Sequence, residues 1–275
     1  SPGDPSRSRI ASPANPRVRA AAALRERRER DRTGRIVIDG AREVLRALDA
    51  GVAIETLFVC PERCRSTGCA EVLGRLDPGD ARLVEVTETA LAKLAFGARA
   101  DGIVAVGIRP PLDLAAVRLG ADPLVAVVEG VEKPGNLGAI LRSADGAGVD
   151  ALVAADPRTD LFNPNAIRAS LGTIFAVPLA AGPSHAVRAW LADLGLAIVV
   201  ARVDADRAYT EVDLTGPLAI VLGSEAAGLG PTWSGPDVVG VRLPMRGVAD
   251  SLNVSAAGAV LLYEARRQRE AGPAR

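Results

Sequence analysis

One histidine in 275 residues is the sharpest limit on what this chain does. His185 follows Pro183 and Ser184 at a helix start, apart from every candidate site, and reads as a surface residue. Chemistry built on a histidine base has nothing to draw on here. Cysteine is almost as scarce. Cys60, Cys64 and Cys69 are odd in number and crowd into ten residues, which fits neither a disulfide framework nor a four-ligand zinc site. The expectation is loop cysteines in a reducing cytosol, with no metal. No apolar stretch reaches the roughly 18 residues that mark a membrane span. No charged start, apolar middle and small-residue cleavage site marks a secretory signal, so a cytoplasmic protein with no membrane partner is expected. The G-x-G-x-x-G spacing is missing too, which disfavours a nicotinamide dehydrogenase. Lysine is reduced to Lys93 and Lys133; with abundant alanine and glycine, this arginine bias reads as genome composition more than function.

What is present is apolar and unevenly charged. Hydrophobic residues make up 48% of the chain, enough for a substantial core, and the net charge is zero. The balance is not local. Residues 1–35 hold ten arginines against four acidic residues, and a basic N-terminal segment is a common device for tracking phosphates. Residues 1–16, rich in Ser, Pro and Arg, are expected to be disordered, and 17–31 to be a short helical stretch; together 1–30 read as a basic flexible arm.

From Arg35 the pattern alternates between strand and helix. Strands are expected near 36–38, 54–60, 82–86 and 103–108, with helices near 41–50, 70–75 and 88–95, which gives a small α/β module over 31–108. The proline cluster that begins at Arg109-Pro110-Pro111 predicts a linker over 109–119. The second half restarts with the continuous apolar run 124–129, suited to a parallel strand buried on both faces. Helices at 137–148, 165–171, 184–194 and 253–269, and strands at 151–154, 177–179, 197–201 and 218–222, complete an α/β, doubly wound domain over 120–275.

Three segments carry chemistry. The first, Glu132-Lys133-Pro134-Gly135-Asn136-Leu137-Gly138-Ala139-Ile140-Leu141-Arg142, follows a strand; Asn136 is expected to cap a helix from whose second turn Arg142 projects. The second, Leu222-Gly223-Ser224-Glu225-Ala226-Ala227-Gly228-Leu229-Gly230, is a buried strand running into a glycine-bearing turn with one carboxylate, where backbone groups approach a flat ligand closely. The third, Leu243-Pro244-Met245 through Ser251-Leu252-Asn253-Val254-Ser255, turns a loop into a helix, where unsatisfied N–H groups hold ligands. Alone, this third segment is a Ser/Asn helix cap.

Taken in order, N-x-G-x-x-x-R, L-G-x-E-x-x-G-L and L-P-M…S-L-N-V-S resemble the SpoU/TrmH branch of the SPOUT RNA methyltransferases, over residues about 120–269. The opening Arg35-Ile36-Val37-Ile38-Asp39-Gly40-Ala41-Arg42-Glu43-Val44 is similar to the ribosomal-protein-L30e-like substrate-binding domain that precedes many such catalytic domains. Among two-domain members the chain looks like the antibiotic-resistance 23S rRNA methyltransferases that protect producers of thiostrepton or avilamycin. The resemblance implies a deep trefoil knot, otherwise nearly absent from proteins, S-adenosylmethionine held by the knotted loops, and an active site formed across a homodimer. It assigns Leu222, Gly223, Glu225, Gly228, Leu243, Pro244, Met245 and Leu252 to the cofactor, and Asn136, Arg142, Ser251 and Asn253 to the catalytic pocket. It implies 2′-O-ribose methylation of 23S rRNA or another structured RNA. A tRNA ribose methyltransferase and an RNA-binding protein without catalysis are the alternatives.

The family usually gives the motif arginine the role of base. With an arginine pKa of about 12.5–13.8, about one in a million would be neutral at pH 7. Two readings stand: a specially deprotonated Arg142, or a cationic Arg142 that grips an RNA phosphate and stabilises the developing alkoxide. The second needs no extreme shift and is preferred. Arg168, in Asn163-Pro164-Asn165-Ala166-Ile167-Arg168-Ala169-Ser170, is expected to bind RNA or brace the dimer. Trp190 reads as core, and Trp233 as either core or a contact for RNA or cofactor.

Overall fold

The computed structural model describes residues 9–76, 80–95, 101–224 and 228–271. In chain order the elements are α1 (Pro16–Ala23), α2 (Arg27–Thr33), β1 (Arg35–Asp39), α3 (Ala41–Asp49), β2 (Ile54–Val59), α4 (Thr67–Gly74), β3 (Leu83–Glu85), α5 (Glu88–Leu94) and β4 (Ile103–Ile108). There follow β5 (Leu124–Glu129), α6 (Pro134–Ala147), β6 (Ala151–Ala155), α7 (Pro164–Ala169), α8 (Thr173–Ala176), β7 (Leu179–Gly182) and α9 (Ser184–Asp193). The remainder are β8 (Ala197–Ala201), β9 (Arg207–Ala208), β10 (Leu218–Leu222), β11 (Val238–Arg242) and α10 (Val254–Ala271). The chain forms two compact units, one of residues up to Pro110 with 162–176, the other of 111–161 with 177 onward.

The first unit is a mixed sheet of order β1-β4-β2-β3. β4 pairs antiparallel with β1 and β2, and β3 joins β2 in parallel. Alternate strand residues Val37, Phe58, Val84, Val104 and Val106 share one buried cluster with Val18, Ala21 and Leu24 from the N-terminal segment and Ala90, Leu91 and Leu94 from α5. This corrects the flexible arm for residues 9–30; residues 1–8 of it lie outside the described residues. Val18, Ala21 and Leu24 recur every three residues, so on a helix they form one apolar stripe, and its burial in the sheet's core holds α1 in place. The helical stretch is also broken at 24–26, where the Arg30 guanidinium, 1% exposed, donates to the carbonyls of Leu24 and Arg25 at 2.7 Å each. Ile10 donates its N–H to Glu85 O at 2.9 Å, and the Thr87 hydroxyl donates to Ala11 O at 3.1 Å, so 9–11 are tied down as well.

Residues 162–176 belong to this unit, although their position in the sequence suggests the second domain. Phe162, Ile167, Ile174 and Phe175 are buried, and Phe162 stacks on Phe175 with ring centroids 6.2 Å apart. Arg46 donates to Leu171 O at 2.7 Å, and Arg168 to Asp39 Oδ2 at 3.3 Å. Periodicity reports that a segment has an apolar face, not which core receives it. Arg168 is thus engaged with a carboxylate that is 5% exposed.

The second unit is a seven-stranded sheet of order β7-β6-β5-β10-β8-β11-β9, every pairing parallel. β6 and β10 are buried along their whole length, as parallel strands covered on both faces must be. One face carries α9, the fully buried Trp233, and Leu114, Val117 and Leu119, so 111–119 are built into this unit and do not form a free linker. On the other, α6 and α10 pack together and α10 lies on β10. β9 and β11 are additions to the expected strands: β9 is two residues long, and β11, Val-Val-Gly-Val-Arg, has one buried residue among five. Strand order reverses between β5 and β10, the position where open parallel sheets place ligands at their carboxyl ends.

Candidate active site

The carboxyl ends of β8, β10 and β11 surround a cavity of about 530 Å³. Its walls are Ala201–Asp204 after β8, Leu222–Ser224 with Gly228 and Leu229 after β10, and Leu243, Asp250–Leu252, Val254 and Ala257 up to the start of α10. A smaller pocket of about 190 Å³ is lined by Val128, Gly130, Val131, Glu132, Lys133 and Asn136. Gly223 and Val254 line both, so the two spaces meet there.

β10 delivers Gly223 to that meeting point. A Cβ at Gly223 would lie 2.4 Å from the Gly228 carbonyl carbon, so no side chain fits. Ser224 and Gly228 exchange N–H···O bonds of 3.0 Å in both directions, and Gly228 takes φ +65°, which favours glycine. Gly223, Ser224, Gly228 and Leu229 are thereby held together on the cavity wall. Glu225, between them in sequence, lies outside the described residues.

The opposite wall is a helix start. Asn253 Oδ1 accepts from Ser255 N at 2.9 Å and Ser255 Oγ at 2.6 Å, and the Asn253 carbonyl accepts from Ala257 N at 2.9 Å. This is a side-chain cap, worth about 0.5–2 kcal/mol to the helix. The same amide donates from Nδ2 to Asn136 Oδ1 at 3.3 Å, joining two residues 117 positions apart. Asn136 is not itself the cap of α6. Pro134 begins the helix two residues earlier, because its fixed φ and missing N–H suit the first helical position; Lys133 is the cap and Asn136 sits in the first turn.

Of the predicted residues, Leu222, Gly223, Gly228, Leu243, Ser251 and Leu252 lie on the larger cavity, and Asn136 on the smaller. Ser251 Oγ donates to Asp250 Oδ1 at 3.2 Å. Pro244 and Met245 are exposed on the loop after β11 and line neither space. Arg142 stands six residues beyond Asn136, about 9 Å along the helix. It is exposed, its side chain makes no hydrogen bond or ion pair among the described residues, and it lines neither space.

Residues 123–263 match the SpoU rRNA Methylase family, and 15–105 match the MRM3-like substrate binding domain. The chain belongs to the SpoU rRNA methylase family. It is 32% identical over 263 residues to the 23S rRNA (uridine(2479)-2′-O)-methyltransferase of Streptomyces viridochromogenes, covering 91% of this chain and 89% of that one. A crystal structure of an RNA 2′-O ribose methyltransferase superposes with TM-score 0.83 at 41% identity over 95% of this chain and 99% of that one. The SpoU methyltransferase AviRb from Streptomyces viridochromogenes, solved in complex with the cofactor AdoMet, superposes with TM-score 0.83 at 29% identity, covering 94% and 100%.

In this SpoU-family chain the wall after β8 is the part that sequence reasoning missed. Arg202 donates to Asp204 at 3.0 and 3.2 Å. Those hydrogen bonds first, and the guanidinium charge second, hold Asp204 below the usual carboxylate range. The one available signal is topological: β8 runs parallel beside β10, so its carboxyl end opens on the same side. Trp233, which the sequence allows as core or as ligand contact, is core: it is 0% exposed, and its backbone N–H donates to Gly230 O at 3.1 Å. Trp190 packs partly buried against the same cluster, and His185 is exposed. Among the described residues no group of three or more His, Cys, Asp or Glu is placed to hold a metal, and no helix is long and apolar enough to cross a membrane.

Proposed function

We propose that this protein transfers a methyl group from S-adenosylmethionine to a ribose 2′-hydroxyl of 23S rRNA. The observation that carries the reading is the junction of the two spaces at Gly223 and Val254, with the Asn136–Asn253 pair beside it. The larger space suits the cofactor: its wall after β10 is close-packed backbone, with Gly223 set so tightly against Gly228 that no Cβ fits between them. Leu222, Gly223, Gly228, Leu243 and Leu252 would hold it, with Glu225 of the same segment. When bound, the cofactor supplies an electrophilic methyl group on a sulfonium.

The protein's part is orientation and charge. Asn253, fixed by its cap and by Asn136, presents amide groups to the acceptor ribose, and Ser251 flanks it. Arg142, free of ion pairs among the described residues, offers a planar fork of donors that matches a phosphate. A homodimer would bring the Arg142 of a second copy to a pocket that its own copy does not reach. There the cation holds the RNA backbone and stabilises the oxyanion as the hydroxyl proton leaves to water or phosphate. The trefoil knot belongs to this reading, as do the L30e-like character of the first unit, a cytoplasmic location and protection of the ribosome from an antibiotic.

The test is methyl transfer from labelled S-adenosylmethionine to deproteinised 23S rRNA, with tRNA in parallel, followed by mapping of 2′-O-methyl positions. One methylated 23S ribose is expected. Transfer to tRNA alone, or to a base, would overturn the reading. A chain that binds RNA but not S-adenosylmethionine would be a non-catalytic binder.

A further inference from the structure

Glu129, the last residue of β5, lines neither space, yet it fixes a wall of one. Its Oε2 accepts the Gly230 N–H at 2.6 Å and its Oε1 accepts the Ser184 hydroxyl at 2.8 Å. Ser184 is buried and donates its own N–H to Asp156 Oδ2 at 3.1 Å. Asp156, just beyond β6, takes φ +44°, an unusual conformation for a residue with a side chain. The ends of β5 and β6 and the start of α9 are thus tied together, and Glu129 passes that tie to Gly230. Gly230 is gripped from its other side as well, since its carbonyl accepts the backbone N–H of the fully buried Trp233. A Cβ on Gly230 would press within 3.3 and 3.4 Å of the two Glu129 oxygens.

The cavity wall after β10 is made by two short stretches, Gly223 with Ser224 and Gly228 with Leu229. β10 anchors the first inside the sheet. The second is held by the Gly230 clamp, one residue after the cavity-lining Leu229. We infer that Glu129 is a positioning residue for the cofactor: acting through the Gly230 N–H, it fixes where Gly228 and Leu229 stand on the cavity wall and so sets the affinity for S-adenosylmethionine. The inference rests on the assignment of the larger cavity to that cofactor.

Two substitutions separate the hydrogen bond from the bulk of the side chain. Glu129→Leu keeps the size and removes both acceptors. Glu129→Gln can keep both contacts, with its amide oxygen toward Gly230 and its amide nitrogen donating to the Ser184 hydroxyl, which accepts as well as donates. Titrating the full-length protein with S-adenosylmethionine by calorimetry, and with an rRNA fragment separately, reads the two affinities. Glu129→Leu should weaken cofactor binding about ten-fold or more, the scale of a missing charge-assisted bond, with RNA affinity within about two-fold of the parent. Glu129→Gln should restore most of the affinity. If Glu129→Leu does not fold, Gly230→Ala tests the same clamp from the other side and should also weaken cofactor binding selectively. Unchanged cofactor affinity in the folded variant, a parallel drop in both affinities, or failure of Gln to rescue overturns the inference. Absence of cofactor binding by the parent protein overturns the cavity assignment and this inference with it.

Discussion

The two units solve the same problem, an apolar sheet covered by helices, but they present different surfaces for interaction. In the second unit every strand is parallel, so strand ends and helix starts converge on one side and the site is largely backbone: the Ser224–Gly228 pair, the Asn253 cap, the Gly230 clamp. In the first unit the mixed sheet sends its loops both ways, and its surface is a network of side-chain ion pairs: Arg9 with Glu62 at 2.5 Å, Arg63 with Glu88 at 2.8 Å, Arg109 with Asp31 at 2.7 Å. Exposed pairs of this kind add little stability each. Removing a side chain should therefore be tolerated in one unit, while adding a single methyl is not tolerated in the other.

The largest break in that contrast should come from Gly223→Ala. Its methyl overlaps the Gly228 carbonyl carbon, and overpacking of about 1–3 kcal/mol should lower S-adenosylmethionine affinity on the order of 100-fold by calorimetry, with RNA affinity intact. Wild-type affinity would mean that the turn opens freely. Next is Asn253→Ala, which should lose about 0.5–2 kcal/mol of stability with the cap and slow single-turnover methyl transfer on the order of 100-fold. Asn253→Asp sharpens it: the carboxylate still caps α10, so the melting temperature should recover, but it has no donor for Asn136, so the rate should not.

Arg142→Lys should slow transfer about ten-fold or more, because a point charge replaces a bidentate fork, and leave cofactor affinity unchanged. Full activity at neutral pH would discard the clamp. The matching experiment in the first unit replaces Arg17, Arg19 and Arg28 by Ala, all exposed and without an ion pair among the described residues. RNA binding should weaken, and its log–log salt slope should flatten by roughly 0.9 for each phosphate that is no longer neutralised; an unchanged slope removes α1 and α2 from the interface. The smallest effect is at the thiols. Burial first, and the neighbouring Cys69 thiol second, push Cys64 up to about 12 from an ordinary 9.0. The unfolded thiol releases its proton as pH climbs through about 9, whereas the folded one keeps it up to about 12, so the raised pKa is without penalty below pH 9 and increasingly opposes folding above it. Stability should therefore fall between pH 9 and 12, and alkylation of Cys64 in the folded protein should stay slow at pH 9 and speed up on unfolding.

How much of this was legible varies by segment. β5, β6, β8 and β10 announce themselves as continuous apolar runs, and a parallel α/β unit follows from them. The three motif segments were readable because each joins a strand or loop to a turn or helix start with unusual residues at fixed spacing. β11 was not, since three of its four side chains are only half-buried and its centre is Gly240. The destination of 162–176 was hidden because Phe162, Ile167 and Phe175 would look the same in either core. Arg30 was hidden for the opposite reason: a buried arginine satisfied by two carbonyls is indistinguishable in sequence from the solvated arginines around it.

The order and chemistry of the elements were thus determined by the sequence: which strands are buried on both faces, where glycine is required, and which polar residues stand at a helix start. Those properties are local, set by side-chain size, backbone freedom and period. Tertiary structure alone decided that Asn136 and Asn253 share a hydrogen bond, that β8 contributes a wall, and that Glu129 reaches Gly230 across 101 positions. Such contacts depend on strand order, and strand order is fixed by the packing of all the faces at once rather than by any one segment.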